Sequence, residues 1–141
     1  MMDYQINLTN WQQSKQPLSS IRRTVFIDEQ KVPEELEWDE DDKHASHILV
    51  TYKNNPIATA RLKPDGHIGR MAVLKEYRHK GIGSAILKKL IETAIQMGLE
   101  SVYLHAQVLA IPFYEKHGFE VYTDVFMDAG IPHKSMRYGL K

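Results

Sequence analysis

The stretch "HIGRMAVLKEYRHKGIGSAILKKLIETAIQMG", residues 67–98, restricts the fold more than any other part of the chain. A run of branched apolar residues ends in a basic, glycine-containing loop, and a helical pattern begins at once. Ile82, Ile86, Leu87, Leu90, Ile91, Ala94 and Ile95 form one wide apolar face, with Lys88, Lys89, Glu92 and Gln96 opposite. Gly98 is a suitable stop. This predicts a strand, a tight loop and an amphipathic helix from Ile82 to about Met97. A helix N-terminus offers free N–H groups and partial positive charge, and glycines let a ligand approach the backbone. With Arg78, His79 and Lys80 in front, the loop Gly81-Ile82-Gly83-Ser84 fits a phosphate, most simply a pyrophosphate. A tight turn with solvated basic residues is the plainer alternative.

The flanking segments limit the topology. "DYQINLT" alternates and reads as a first strand. Leu18, Ile21, Val25 and Phe26 fall at helical spacing after Pro17, and Val32-Pro33 closes that helix. "SHILVTYK" and "PIATARLK" form a hairpin about Asn54-Asn55, and Pro64-Asp65-Gly66 turns into the strand "HIGRMAVL". Beyond the glycine helix, "SVYLHA" is a strand, "VLAIPFYEKHG" a short helix, "FEVYTDVF" a strand and "HKSMRYGL" a last strand after the turn at Asp128–Pro132. The predicted fold class is α+β in three layers: a mixed, mostly antiparallel sheet with helices on both faces. Residues 1–141 read as one domain.

Composition narrows the function classes. At 43% hydrophobic and 26% charged residues the chain is ordinary for a globular protein. Zero net charge argues against a general nucleic-acid binder. No apolar run approaches a membrane span, and no signal-peptide core is visible, so a cytoplasmic location is expected. The absence of cysteine removes thiolate nucleophiles, disulfides and zinc–sulfur sites. No histidine pair has helical metal-ligand spacing with a third ligand, so no metal is expected, and His44 and His47 read as surface residues. Nine of the 18 acids lie between Asp28 and Asp42, an acidic segment able to draw a cation or simply to be solvated.

Two nucleotide readings of the loop fail. A P-loop needs a lysine and a spacing that are missing here, and a Rossmann fingerprint needs a small residue where Ile86 stands. Instead, "RHKGIGS" after the strand resembles motif A of the GNAT N-acetyltransferase superfamily. "LHAQVLAIPFYEKHGFE" resembles motif B of the same superfamily, some thirty residues on. "EQKVP" and "DAGIPHKSM" are similar to segments of a bacterial branch. The resemblance implies acetyl-CoA as co-substrate. The backbone of Met71, Ala72 and Val73 would pair with the pantetheine arm. N–H groups from Arg78 through His79, Lys80, Gly81, Ile82, Gly83 and Ser84 would hold the pyrophosphate. Gln107 and Phe113 would lie along the cofactor.

Direct transfer requires an attacking neutral amine, an oxyanion donor and an acid for the departing thiolate. Tyr114 stands at the family position for the acid, although a core aromatic is the plainer reading, and the Val73 N–H is the implied oxyanion donor. Glu29, Glu37, Asp39, His105 and His133 are open alternatives for the base, with Asp39 and Glu37 also placed to draw an amine. His105 reads more simply as a satisfied strand histidine, and the Ser84 hydroxyl as a helix cap. The predicted function is acetyl transfer to a primary amine of a small molecule; a homodimer is compatible with the sequence. Competing readings are a protein or peptide N-acetyltransferase, an acyl-homoserine lactone synthase-like enzyme (loosely echoed by "VFIDEQ" and Glu37-Trp38-Asp39), and a non-catalytic acyl-CoA sensor.

Overall fold

Branched apolar residues alternating along the N-terminal half give that half its strands, and the computed structural model describes residues 3–141. Strand β1 (Tyr4–Thr9) is followed by helix α1 (Trp11–Arg22), which runs into a π-helical segment, Arg23–Glu29. The helix begins earlier than Pro17 suggests. The Asn10 side chain caps it by accepting from the Gln13 N–H at 2.9 Å. Ser14 then departs from helical geometry (φ −125°, ψ 19°), which leaves Pro17 in the first turn of a second segment, where a missing N–H costs nothing.

The acidic segment folds as one helical turn, α2 (Glu34–Glu37), and a 3₁₀ turn, Glu40–Lys43. Strands β2 (Ser46–Tyr52), β3 (Asn55–Leu62) and β4 (His67–Val73) form the expected antiparallel meander. Its first turn centres on Lys53 and Asn54, both at positive φ, one residue before the expected pair. Helix α3 (Ile82–Gln96), strand β5 (Ser101–Gln107) and the short helix α4 (Ile111–Lys116) follow. Strands β6 (Glu120–Val121), β7 (Phe126–Asp128) and β8 (Ile131–Gly139) complete the chain. "FEVYTDVF" is therefore broken rather than continuous: Thr123 Oγ1 takes the Ser135 N–H at 2.9 Å, and a side chain replaces the ladder there.

The sheet order is β1-β2-β3-β4-β5-β8-β6, with β7 paired on β8. All pairings are antiparallel except β4–β5, which is parallel and holds register only at His67↔Tyr103 and Ile68↔Leu104. The larger core lies between α3 and the sheet, where Ile82, Ile86, Leu87, Leu90 and Ala94 meet Ile48, Val50, Ala58, Ala60, Leu62, Val102 and Leu104. Burial of this kind contributes roughly 1.5–3 kcal/mol per large side chain. Ile95, expected on that face, is 54% exposed at the helix end. On the other face, Ile21 and Val25 pack on Ala72 with Leu49 and Leu74 around them. Helices thus cover both faces. No helix among the described residues is long and apolar enough to cross a membrane.

Candidate active site

Past Ile68 and Leu104 the two parallel strands separate. A cleft of about 290 Å³ opens there, lined by residues from both faces of the sheet. Met71, Gln107, Tyr114, Glu37, His105 and His133 all line it. Glu29, Asp39, Phe113 and the glycine loop do not.

Among the described residues, the edge of β4 beyond Ile68 has no partner on the β5 side, as a pseudo-strand ligand requires. Its inner edge stays paired: Ala72 faces Thr59 and Val73 faces Ala58. A bulge precedes these residues. Thr59 is opposite Ala72 and Arg61 opposite Gly69, so Arg70 and Met71 together stand against Ala60. Arg70 takes the extra-residue conformation at φ 51°. The sequence signal for this was Gly69 inside a strand, a common mark of a bulge.

The loop before α3 is open to a ligand. His79 and Gly81 have positive φ, and Gly81 caps the helix without a side chain. No acceptor within the protein takes the N–H groups of Ile82, Gly83 or Ser84 among the described residues, whereas Ala85 already donates to the Gly81 carbonyl at 3.1 Å. A pyrophosphate fits this donor set. Gly83 faces the Phe113 ring, which a Cβ there would meet at an ordinary contact distance of 3.4 Å. The Ser84 hydroxyl does not cap the helix, as expected from sequence; it bonds His117 Nε2 at 3.0 Å. Arg78 is committed elsewhere. Its Nε donates to the Val73 carbonyl at 2.8 Å, and both terminal nitrogens hold the Glu29 carboxylate at 2.6 Å. Lys80 is exposed and makes no ion pair among the described residues.

Tyr114 faces the cleft with its Oη 3.9 Å from Met71 Sδ. Burial pushes its phenol up to about 12, so it stays protonated throughout the neutral range. Phe113 stands edge-on to it at 5.0 Å. Gln107 lies further along the wall and donates to Gln30 Oε1 at 3.0 Å.

The base candidates separate clearly. Glu29 is held by Arg78, whose hydrogen bonds keep its carboxyl below the ordinary range. Asp39 is bound to Arg61 at 2.8 Å and Arg70 at 3.3 Å and faces a second cavity, beside Trp11 and Trp38. Glu37 is 3% exposed and bonded to Arg22 Nε at 2.7 Å. Glu37 and Asp39 are therefore engaged within the protein rather than left open to an amine. Glu37, Asp39 and Asp42 are balanced internally by Arg22, Arg61 and Arg70. His47, read as a surface residue, is buried beside this network and donates to the Asp42 carbonyl at 2.9 Å.

His105 Nδ1 is joined to Ser135 Oγ at 2.7 Å, and burial lowers its basicity. Next to it, His67 is pushed down to about 4 by burial and by His105. His133 is 8% exposed and stacks on Phe126. Its Nδ1 donates to the Ile131 carbonyl at 2.7 Å, which leaves Nε2 as the lone-pair nitrogen of the neutral ring. Among the described residues, no group of three or more His, Asp or Glu side chains is placed to hold a metal.

Comparison with known proteins agrees with this arrangement. Residues 11–140 match the family described as "Acetyltransferase (GNAT) domain", and the chain belongs to that family of acyl-CoA N-acyltransferases. It is 41% identical over 120 residues to the uncharacterized N-acetyltransferase YjcF of Bacillus subtilis, covering 82% of this chain and 86% of that one. A solved Lactobacillus plantarum protein described as an N-acetyltransferase superimposes with a TM-score of 0.90 at 26% identity, covering 98% of this chain and 99% of that one. An acyl-CoA N-acyltransferase from Pseudomonas aeruginosa superimposes with a TM-score of 0.83 at 27% identity, covering 97% and 99%. The family uses acetyl-CoA or another acyl-CoA as donor.

Proposed function

We propose that this protein transfers an acetyl group from acetyl-CoA to the primary amine of a small molecule, directly, within the cleft between β4 and β5. The observation that carries the reading is the Tyr114 hydroxyl, held protonated in that cleft beside Met71 where β4 loses its parallel partner. Acetyl-CoA, when bound, supplies the thioester that the amine attacks.

The residues divide the work. The free N–H groups of Ile82, Gly83 and Ser84, with Lys80 nearby, hold the pyrophosphate; Arg78 shapes the loop through Glu29 and the Val73 carbonyl. Tyr114 holds the proton for the leaving group at Oη. His133 takes the proton of the amine at Nε2, directly or through water, because its other nitrogen is already fixed by the Ile131 carbonyl. Glu29, Glu37 and Asp39 serve as structural anions. A small acceptor is favoured because the cleft volume of about 290 Å³ and its walls from both sheet faces suit a compact molecule. A cytoplasmic setting belongs to this reading, because free acetyl-CoA is its donor.

The test is CoA release from acetyl-CoA over a panel of primary amines. Tyr114→Phe is expected to lower kcat by about 10²–10⁴ with acetyl-CoA affinity nearly unchanged. An unaltered kcat removes Tyr114 from the acid role. Tight acetyl-CoA binding with no release for any amine overturns the transfer reading in favour of a sensor.

A further inference from the structure

We propose that Arg70 binds a carboxylate on the acceptor, so that the substrate class is an amine that also carries a carboxylate, as an amino acid does. This deepens the acetyl-transfer reading and rests on it.

Position comes first. Arg70 lines the cleft and directly precedes Met71, whose Sδ faces the Tyr114 hydroxyl. The bulge turns both residues into the cleft, where regular alternation would present only one of them. The conformation is expensive for arginine: a non-glycine residue at φ 51° costs roughly 1–2 kcal/mol. Gly69, the adjacent residue, would take a positive φ at no such cost. The strain nevertheless falls on the residue with the cationic head, as is common at ligand sites.

Donor accounting points the same way. Arginine has five N–H donors. Nη2 donates to the carbonyl of Glu37 at 2.9 Å, with Leu36 O at 3.4 Å and Asp39 Oδ2 at 3.3 Å as weaker partners. Nε lies 3.1 Å from Glu37 Oε2 without hydrogen-bond geometry and is one of three buried, unpartnered side-chain atoms among the described residues. Among the described residues, Nη1 donates to no protein group. Arg22 and Arg61, the other arginines of the network, are at most 3% exposed, whereas the Arg70 side chain is 25% exposed at the cleft. Nε is buried against Glu37, so Nη1 is the donor that Arg70 has left for a ligand. Planar carboxylates match guanidinium donors in geometry and charge. Of the other charged wall residues, Glu37 is buried and held by Arg22, whereas Asp128 is exposed on β7 and in no ion pair among the described residues. Asp128 lies opposite Ile131, two residues before His133 on the paired strand, and suits the amine end. A cation and an anion across one cleft fit a zwitterion.

The experiment compares amines in matched sets: an amino acid, its amide and its aminophosphonate analogue, each assayed for CoA release. Wild type is expected to favour the carboxylate form by about tenfold or more in kcat/KM. Arg70→Lys, which keeps the charge, and Arg70→Met are both expected to collapse that preference, with the loss falling in KM. Acetyl-CoA binding and the circular dichroism spectrum report folding of each variant. A wild type that turns over all three forms equally, or prefers the phosphonate, overturns the inference and leaves acetyl transfer standing. So do variants that lose activity equally on acid and amide, since Arg70 then only braces α2. Acetyl-CoA binding without turnover of any amine removes the transfer reading, and this inference with it.

Discussion

Two charged regions of this molecule behave oppositely. The loop from Arg78 to Ser84 keeps three backbone N–H donors free among the described residues, with Lys80 exposed and no side-chain helix cap. In the acidic segment from Glu34 to Lys43, two carboxylates are drawn inward: Glu37 and Asp42 are each at most 3% exposed against Arg22 and Arg61. The first leaves donors unmatched, whereas the buried acids of the second have their charge matched within the chain. Charge density along a sequence therefore does not reveal whether a partner is external. What decides it is whether strands bring opposite charge to the same depth.

The difference can be broken first at its buried end. Arg22→Ala leaves Glu37 and Asp42 buried without their main partner, and is expected to destabilise the fold by about 3–5 kcal/mol in chemical denaturation. A loss below about 1 kcal/mol would show that the network is solvated in solution. Gly83→Glu probes the open end. Its Cβ reaches Phe113, and its carboxylate competes for the free N–H groups. Acetyl-CoA affinity is expected to fall by two orders of magnitude or more. Thermal stability should hold, because glutamate in a first helical turn is favourable. Equal affinity would refute the phosphate site.

Smaller effects sharpen the contrast. Lys80→Ala is expected to weaken acetyl-CoA binding severalfold and to flatten its salt dependence, since exposed charges are screened. The Glu29–Arg78 pair is partly exposed, so Glu29→Gln should cost less than about 1 kcal/mol. Its pH signature has a definite sign. The hydrogen bonds from Arg78 lower the folded-state value below the ordinary 4.5, so the contribution is complete above 4.5 and fades as pH falls further. Denaturation of wild type and Glu29→Gln at pH 7 and pH 3 should give a difference at pH 7 that shrinks at pH 3.

Much of the fold was legible because its signals are local. The apolar face of α3, the positive-φ stop at Gly98, the turn at Pro64–Gly66 and the meander all come from neighbouring residues. The family motifs also marked the cleft residues Met71, Gln107 and Tyr114, which the fold brings together. The misreadings share another cause. His47 is buried only because Trp11 and Asp42 close over it, and "FEVYTDVF" breaks because Thr123 substitutes for a backbone donor's usual partner. Arg78 looked like a free cation until Glu29, 49 residues earlier, reached it.

The sequence by itself determined where a helix N-terminus would stand open behind a strand, because glycine conformation and helical periodicity act over a few residues. It also determined the family, through two motifs in fixed order. The tertiary structure alone decided which charges remain available. Arg22 finds Glu37 and Asp42, and Arg61 finds Asp39 and Asp42, across separations of 15 to 22 residues. Arg70 is left facing the cleft because a bulge on β4 turns it there. Ion pairing and strand register are long-range, and only the assembled sheet sets them.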